Sequence, residues 1–181
     1  MKQAAHILIT GGARSGKSRF AEDLAGQIGG RVIYLATAEP FDAEMVERIA
    51  VHRRRRPAEW LTVEEPLDLA AVIRGFGAGD TVLVDCLTVF LSNLIFKRYM
   101  DCPLANLEPH IHRDLLELEN AVNCSAANIL LVTNEVGGGI VPKNELARTF
   151  RDLAGIVNQA MAAVCNQVYM VVAGIPVKIK G

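Results

Sequence analysis

Short runs of apolar residues alternate along the chain with longer segments in which apolar residues recur every three or four positions. The first pattern predicts buried strands, and the second predicts amphipathic helices. The predicted strands are residues 6–10, 31–36, 81–84, 128–133 and 168–173. The predicted helices are residues 17–28, a helix from Ala43 (capped by Asp42) into the arginine run at 53–56, and residues 67–74, 87–99, 107–122 and 144–164.

This alternation of strands with helices predicts an α/β fold, with a largely parallel sheet and helices on both of its faces. No internal repeat, low-complexity tract or linker divides the sequence, so we expect residues 1–181 to form a single nucleotide-binding domain. Ligands of such sheets bind at the carboxyl ends of the strands. The first candidates for a site are therefore the loop after residue 10, Thr37, Asp85, Asn134 and Glu135.

A phosphate-binding loop is predicted where the first strand ends. Its sequence, GGARSGKS, matches G-x-x-x-x-G-K-[ST] in full. The members are Gly11, Gly12, Ala13, Arg14, Ser15, Gly16, Lys17 and Ser18. Lys17 is expected to neutralise the β- and γ-phosphates and Ser18 to bind Mg²⁺, while Arg14 faces either the γ-phosphate or solvent. Because the motif lies between a predicted strand and a predicted helix, whose positive end favours anions, the sequence predicts binding of a nucleoside triphosphate.

Two carboxylates follow predicted strands. Asp85 ends the apolar segment TVLVD, as the Mg²⁺-binding Walker-B acid of such proteins does. The alternative is that Asp85 only caps the next helix. Glu135 is either a second functional carboxylate or an ordinary polar residue of its loop.

The composition of the chain excludes some classes of binding partner and location. The chain has 19 basic and 20 acidic residues and a net charge of -1, which argues against nucleic acid as its main partner. Its four cysteines include no C-x-x-C pair, which favours reduced thiols in a cytoplasmic protein. No apolar run approaches the roughly 20 residues that cross a bilayer, so no integral membrane segment is expected.

His52 precedes the consecutive arginines Arg53, Arg54, Arg55 and Arg56. Three interpretations are open. The run is a solvated helix face, a surface for a polyanion, or the surroundings of a histidine nucleophile whose arginines bind a triphosphate. The balanced charge and the absence of interleaved aromatic residues count against nucleic acid.

Four segments taken together are more specific. They are GGARSGKSRFAE (residues 11–22), YLATAEPFDAEMVERIAVHRRRRP (34–57), TNEVGGGIVPKNELARTFRDLAGIVNQ (133–159) and VAGIPVKIK (172–180). The chain resembles the bifunctional adenosylcobinamide kinase / adenosylcobinamide-phosphate guanylyltransferase family of cobalamin biosynthesis along essentially its whole length. The first segment alone indicates only a P-loop protein, whereas the second and third are much more specific.

The resemblance implies two reactions and a set of site residues. A nucleoside triphosphate, ATP or GTP, phosphorylates adenosylcobinamide. GTP then transfers GMP, through a covalent GMP–histidine intermediate, to give adenosylcobinamide-GDP. His52 is the only histidine in the segment similar to the guanylylated one, so that role falls to His52, with Lys17 as the second catalytic residue. The implied fold is a RecA-like P-loop NTPase, and the implied assembly is a homotrimer.

The nucleotide contacts that the resemblance implies extend beyond the phosphate loop. They are Ala36, Thr37, Ala38, the four arginines 53–56, Glu64 and Asp85, with Ser18 and Asp85 on Mg²⁺. One alternative is a monofunctional small-molecule P-loop kinase in which His52 is structural. Another is a nucleotide-dependent binding switch, although the absence of [NT]-K-x-D counts against an ordinary GTPase.

Overall fold

A computed structural model of the chain describes residues 4–40, 46–47, 50–51, 53–54 and 56–181. Most of the helix predicted from Ala43, including its cap Asp42, lies outside these ranges, as do His52 and Arg55.

The described residues form a seven-stranded sheet in the order β3-β2-β4-β5-β1-β6-β7. The strands are β1 (His6–Gly11), β2 (Arg31–Ala36), β3 (Leu61–Glu64), β4 (Asp80–Asp85), β5 (Asn128–Val132), β6 (Gln167–Val172) and β7 (Ile175–Lys180). All neighbouring pairs from β3 to β6 are parallel, and β7 is antiparallel to β6. The prediction of a largely parallel sheet is therefore confirmed.

Helices cover both faces of this sheet. They are α1 (Lys17–Ile28), α2 (Leu69–Ile73), α3 (Leu87–Asn93), α4 (Leu107–Cys124) and α5 (Glu145–Val164), with a wide π turn at Leu94–Arg98 and a 3₁₀ turn at Leu104–Asn106. Helix α1 packs on one face, and helices α2 to α5 pack on the other. This arrangement explains why the central strands are apolar at successive positions. In β2, Ile33 and Leu35 enter the core under α2 to α5, whereas Val32 and Tyr34 enter the core under α1.

The two edge strands were not predicted from the sequence. Strand β3 has only four residues, and none of them is fully buried. Strand β7 is exposed along its whole length and contains Pro176. Proline lacks the N–H that a central strand needs and is tolerated at an edge. Both strands therefore lack the continuous apolar character by which the interior strands were recognised.

Two other expectations are tested by the fold. All four cysteines are free thiols, as the sequence predicted. Within the part of the chain that the structure describes, no helix combines the length and the apolar character needed to cross a bilayer.

Candidate active site

Strand register brings several of the predicted residues into one row across the sheet. Glu64 of β3 pairs with Ala36 of β2, and Ala36 pairs with Asp85 of β4. Asp85 in turn pairs with Val132 of β5, which pairs with Ile9 of β1. At about 4.8 Å per strand, Glu64 therefore stands roughly 19 Å from β1. The residues that follow this row lie side by side along the carboxyl ends of the strands, and the phosphate loop is at one end of this line.

The phosphate loop leads directly into α1. Gly16 precedes the helix with φ 96°, and Lys17 is the first helical residue. The Ser15 N–H donates to the Gly12 carbonyl at 3.2 Å, and the Lys17 ammonium donates to the same oxygen at 3.1 Å. Lys17 is only 8% exposed. A buried ammonium folded back over the loop, beside the positive end of a helix, provides an environment for an anion.

Glycine is required at Gly11 and Gly16 because other parts of the backbone approach them closely. A Cβ on Gly11 would lie 2.5 Å from the Val171 carbonyl oxygen, and one on Gly16 would lie 3.2 Å from the Gly174 Cα. Gly174 belongs to the two-residue turn between β6 and β7, and its N–H donates to the Ser15 carbonyl at 2.8 Å. The tip of this hairpin therefore supports the phosphate loop from behind.

An open cleft runs along this edge of the sheet. The described residues that line it are Lys17, Ser18, Tyr34, Ala36, Ala38, Arg53, Arg56, Thr62, Glu64, Asp85, Cys86, Val89 and Asn134. It therefore combines an ammonium and two guanidinium groups with carboxylates and apolar side chains.

Tyr34 lies in the floor of the cleft and links its charged groups. Its hydroxyl donates to Asp85 Oδ2 at 2.9 Å. Burial, with a contribution from the Asp85 charge, raises the pKa of Tyr34 above its usual range, so the phenol stays protonated and keeps donating. The Arg56 guanidinium lies 3.6 Å from the centre of the Tyr34 ring, and it donates to Thr62 Oγ1 at 3.1 Å. Stacking and hydrogen bonding together fix this arginine at the cleft.

Arg53 and Glu64 form a longer ion pair, with 3.7 Å between Nη2 and Oε1. Both side chains are about two-thirds exposed, at 64% and 66%. Such solvated pairs contribute little to stability. A ligand can therefore break this ion pair at a low cost in free energy, which leaves the guanidinium and the carboxylate free to contact the ligand.

The Cys86 thiol also lines the cleft, directly after Asp85. Burial raises its pKa to about 11. Near neutral pH the group is therefore an uncharged thiol, which makes it a poor nucleophile. Cys86 is a packing residue of this wall and not a candidate for covalent chemistry.

Ser18 and Asp85 were predicted to bind Mg²⁺. Both line the cleft, and both offer oxygen ligands, which Mg²⁺ prefers. Among the described residues no group of three or more His, Cys, Asp or Glu side chains gathers at metal-binding distance. A hydroxyl and one carboxylate fit the way Mg²⁺ is held in phosphate-transfer sites, where substrate phosphates and water complete the coordination.

Thr37 is fully buried and is not part of the cleft lining. Its hydroxyl donates to the Cys86 carbonyl at 2.9 Å and accepts from the Cys86 N–H at 2.8 Å. The Asn93 amide donates to the Thr37 carbonyl at 2.9 Å. These bonds join the end of β2 to the residue that follows Asp85. Thr37 therefore supports the cleft from behind its wall.

We predict that Thr37→Val lowers the free energy of unfolding by about 1–3 kcal/mol, because the buried Cys86 N–H loses its acceptor while the shape of the side chain is kept. The Cys86 carbonyl keeps a second donor, the Phe90 N–H at 3.0 Å. Denaturant unfolding measures the change. Thr37→Ser is the matched variant. It keeps the hydroxyl and removes only a methyl group, which costs about 0.8 kcal/mol. Equal stability of the valine variant and the wild type would contradict this account.

The structure brings together most, but not all, of the residues proposed from the sequence. Lys17, Ser18, Ala36, Ala38, Arg53, Arg56, Glu64 and Asp85 line one cleft. Arg14 and Arg54 are exposed and are not among the lining residues. Thr37 does not line the cleft, nor do the other phosphate-loop residues, Gly11, Gly12, Ala13, Ser15 and Gly16. His52 and Arg55 lie outside the described ranges.

Four lining residues were not proposed from the sequence: Tyr34, Thr62, Cys86 and Val89. Strand periodicity contains a signal for two of them. Tyr34 and Thr62 each lie two positions before a proposed contact, Ala36 and Glu64, and alternate residues of a strand share a face. Asn134, two residues after the end of β5, was already a candidate because ligands bind at strand ends.

A largely parallel sheet with a glycine-rich loop and lysine after β1, and a carboxylate at the end of β4, defines the chain as a P-loop nucleotide-binding protein of the α/β class. The crystal structure of the RadB recombinase has a similar fold, with a TM-score of 0.50 and 14% identity over 93% of this chain and 75% of that one. This likeness concerns the fold alone. The family model described as cobinamide kinase / cobinamide phosphate guanyltransferase matches residues 7–179. The chain belongs to that family.

Curated relatives agree with this assignment. The bifunctional adenosylcobalamin biosynthesis protein CobU of Escherichia coli (strain K12) is 46% identical over 180 residues, which cover 96% of this chain and 99% of that protein. The protein CobP of the same description from Pseudomonas aeruginosa is 47% identical over 175 residues, or 96% of each chain. CobU of Salmonella typhimurium is 45% identical over 180 residues, or 96% and 99%.

Proposed function

We propose that this chain phosphorylates adenosylcobinamide with a nucleoside triphosphate and then transfers GMP from GTP to the product, giving adenosylcobinamide-GDP. Membership of the cobinamide kinase / cobinamide phosphate guanyltransferase family supports both half-reactions. The single observation that carries the proposal within the structure is the cleft in which the phosphate-loop lysine, the Asp85 carboxylate and two arginines converge.

The kinase half uses the phosphate-loop end of the cleft. Lys17 and the backbone N–H groups of the loop bind the β- and γ-phosphates, so that the γ-phosphorus faces the alcohol of the substrate. Ser18 and Asp85 hold Mg²⁺, which, when bound, neutralises charge on the phosphate oxygens. The hydrogen bond from Tyr34 orients the Asp85 carboxylate toward this task. ATP and GTP both offer the phosphates that these residues bind.

In the guanylyltransferase half, we propose that neutral His52 attacks the α-phosphorus of GTP and that pyrophosphate leaves into the phosphate loop. The proposal takes His52 from the sequence. It is supported by the arginines that follow, since guanidinium groups stabilise charge that builds on phosphorus. Arg53 and Arg56 line the same cleft as Lys17. Glu64 stands at the other end of the row, and its carboxylate can accept hydrogen bonds from the N–H groups of guanine.

We further propose that residues 1–181 form one domain and that the protein assembles as a homotrimer. An apolar surface supports self-association. It consists of Met170, Val172, Ile175, Val177 and Ile179, which are 38–65% exposed on one face of the β6–β7 hairpin. Exposed apolar patches of this kind are typical of protein interfaces.

A labelling experiment with the wild-type protein tests the proposed function. Incubation with GTP labelled on the γ-phosphate and adenosylcobinamide is expected to give labelled adenosylcobinamide phosphate. GTP labelled on the α-phosphate is expected to label first the protein and then, after adenosylcobinamide phosphate is added, the corrinoid. Transfer of the γ-label alone would indicate a monofunctional kinase. Hydrolysis without transfer of either label would indicate a nucleotide-dependent switch.

A further inference from the structure

Asn134 lies between the Asp85 carboxylate and the phosphate loop. Strand β5 lies between β4, which ends at Asp85, and β1, which leads into the phosphate loop. The residues that follow β5 therefore stand between the carboxylate and the loop. Asn134 is among them, and it lines the same cleft as Lys17 and Ser18.

The carboxamide of Asn134 is held in one orientation by Thr88, in the first turn of α3. The Asn134 backbone N–H donates to Thr88 Oγ1 at 2.9 Å, and its side-chain Nδ2 donates to the same oxygen at 3.1 Å. An amide nitrogen carries two protons. Among the described residues the other contact of Nδ2 is the Cys86 sulfur, at 4.0 Å. Sulfur is a weak acceptor, so a phosphate oxygen in the cleft is a much better partner for the second proton.

Asn158 of α5 fixes the backbone of the same turn. Its Oδ1 accepts from Thr133 Oγ1 at 2.7 Å, and its Nδ2 donates to the Asn134 carbonyl at 3.1 Å and to Glu135 Oε1 at 3.2 Å. The Thr133 proton is used in this bond, so the 3.4 Å contact between the Thr88 and Thr133 hydroxyls has Thr88 as its donor. One consistent set of donors and acceptors thus links α3, the turn after β5 and α5.

Glu135 extends this chain of hydrogen bonds to the phosphate loop. Its Oε1 accepts from Thr10 Oγ1 at 2.6 Å, and its N–H donates to the Gly11 carbonyl at 3.1 Å. Thr10 and Gly11 are the last residues of β1. The turn after β5 is therefore tied directly to the start of the loop, and a shift of one moves the other. Glu135, whose two roles the sequence left open, serves here as an anchor.

From this geometry we propose that Asn134 donates a hydrogen bond to the γ-phosphoryl group during its transfer, and that Asn158 is the positioning residue that holds Asn134 in place. The inference rests on the proposed kinase activity. In that step the alcohol oxygen of the substrate forms a bond to the γ-phosphorus while the bond to the β–γ bridging oxygen breaks. The nucleoside diphosphate leaves with the electron pair, and the alcohol proton passes to solvent. Charge shared by the transferring oxygens is what a fixed N–H donor stabilises.

The two half-reactions make different demands on this contact. In GMP transfer the γ-phosphate leaves as part of pyrophosphate, and bond changes occur at the α-phosphorus. An N–H donor at the γ-phosphate therefore acts on the reacting group only in the kinase step. A residue that merely supports the fold would affect both steps alike. The ratio of the two rates separates these roles.

The experiment compares Asn134→Ala, Asn134→Asp and Asn158→Ala with the wild type. Kinase kcat, nucleotide Kd and the rate of protein labelling from α-labelled GTP are measured per folded protein. We expect Asn134→Ala to lower kinase kcat by about 10²-fold, the loss typical of one such donor, with Kd and labelling changed less than about threefold. Asn134→Asp keeps the size but lacks the donor and is expected to lose at least as much. Asn158→Ala is expected to lower kinase kcat by a smaller factor than Asn134→Ala does. It should likewise affect the kinase rate more than the labelling rate.

Asn123→Ala is the matched control. Asn123 is exposed near the end of α4, just before β5 begins, and so lies at the amino ends of the strands, away from the cleft. Kinase kcat within about threefold of wild type in Asn134→Ala or in Asn134→Asp would overturn the inference while leaving the proposed function intact. Equal losses in the kinase and labelling rates would overturn it as well, since they indicate a structural role. A wild-type protein that labels itself but forms no adenosylcobinamide phosphate would instead overturn the proposed kinase activity, and the inference with it.

Discussion

Lys17→Ala is expected to suppress both half-reactions, lowering each rate by on the order of 10²–10³-fold, the usual loss for one electrostatic contact to a transferring group. The reason is geometric. Lys17 is buried at the base of the phosphate loop, where its ammonium donates to the Gly12 carbonyl, so its replacement removes a positive charge from the loop itself. In the proposed mechanism the same ammonium serves the γ-phosphoryl group in one step and the departing pyrophosphate in the other.

Rates of adenosylcobinamide phosphorylation and of protein labelling from α-labelled GTP measure this effect, and nucleotide Kd measures the loss of binding that accompanies it. Arg19→Ala is the matched control. Arg19 also carries a positive charge and lies two residues further along α1, but it is exposed. We expect it to retain both activities. If Lys17→Ala phosphorylated adenosylcobinamide at the wild-type rate, the kinase site would not be at this loop.

The interior of the fold could be predicted from the sequence because its strands are buried on both faces. Strand β2, for example, has four fully buried residues in succession, and its predicted bounds agree with the structure. Helix α1 was likewise predicted with its observed bounds, since Gly16 and Gly29 lie at its two ends. Strand β3 illustrates the limit. Its half-exposed residues have too few apolar positions to signal a strand, although β3 carries Glu64.

For the candidate site, sequence reasoning was strongest where a local motif carries the chemistry. The phosphate loop is such a case, because eight consecutive residues specify both its backbone and its lysine. The contacts of Tyr34 and Asn134 depend instead on strand register and on partners far away in the chain. Tyr34 bonds to Asp85, which is 51 positions away, and Asn134 bonds to Thr88, 46 positions away. No local pattern encodes such distances, so only the folded sheet reveals them.

His52→Ala is expected to abolish covalent labelling of the protein by α-labelled GTP while phosphorylation of adenosylcobinamide persists. The nucleophile is lost, whereas Lys17, Ser18 and Asp85 still line the cleft. The bond between phosphorus and a histidine nitrogen is a phosphoramidate. The wild-type label should therefore resist alkali and be released by acid, which denatured protein tested at both extremes of pH will show.

The pH dependence of labelling tests the same residue in the unmodified protein. Only neutral imidazole has a nitrogen lone pair free to attack, and an ordinary histidine has a pKa of about 6.5. Single-turnover labelling should therefore be full above that pH and fall about tenfold for each unit below it. His112→Ala is the matched control, because His112 is an exposed histidine of α4. A label that survived in His52→Ala, or a flat profile from pH 5 to about 8, would assign the nucleophile to another group. A label lost in both histidine variants would point to a general effect on the fold, whereas loss in His52→Ala alone identifies the residue that carries GMP.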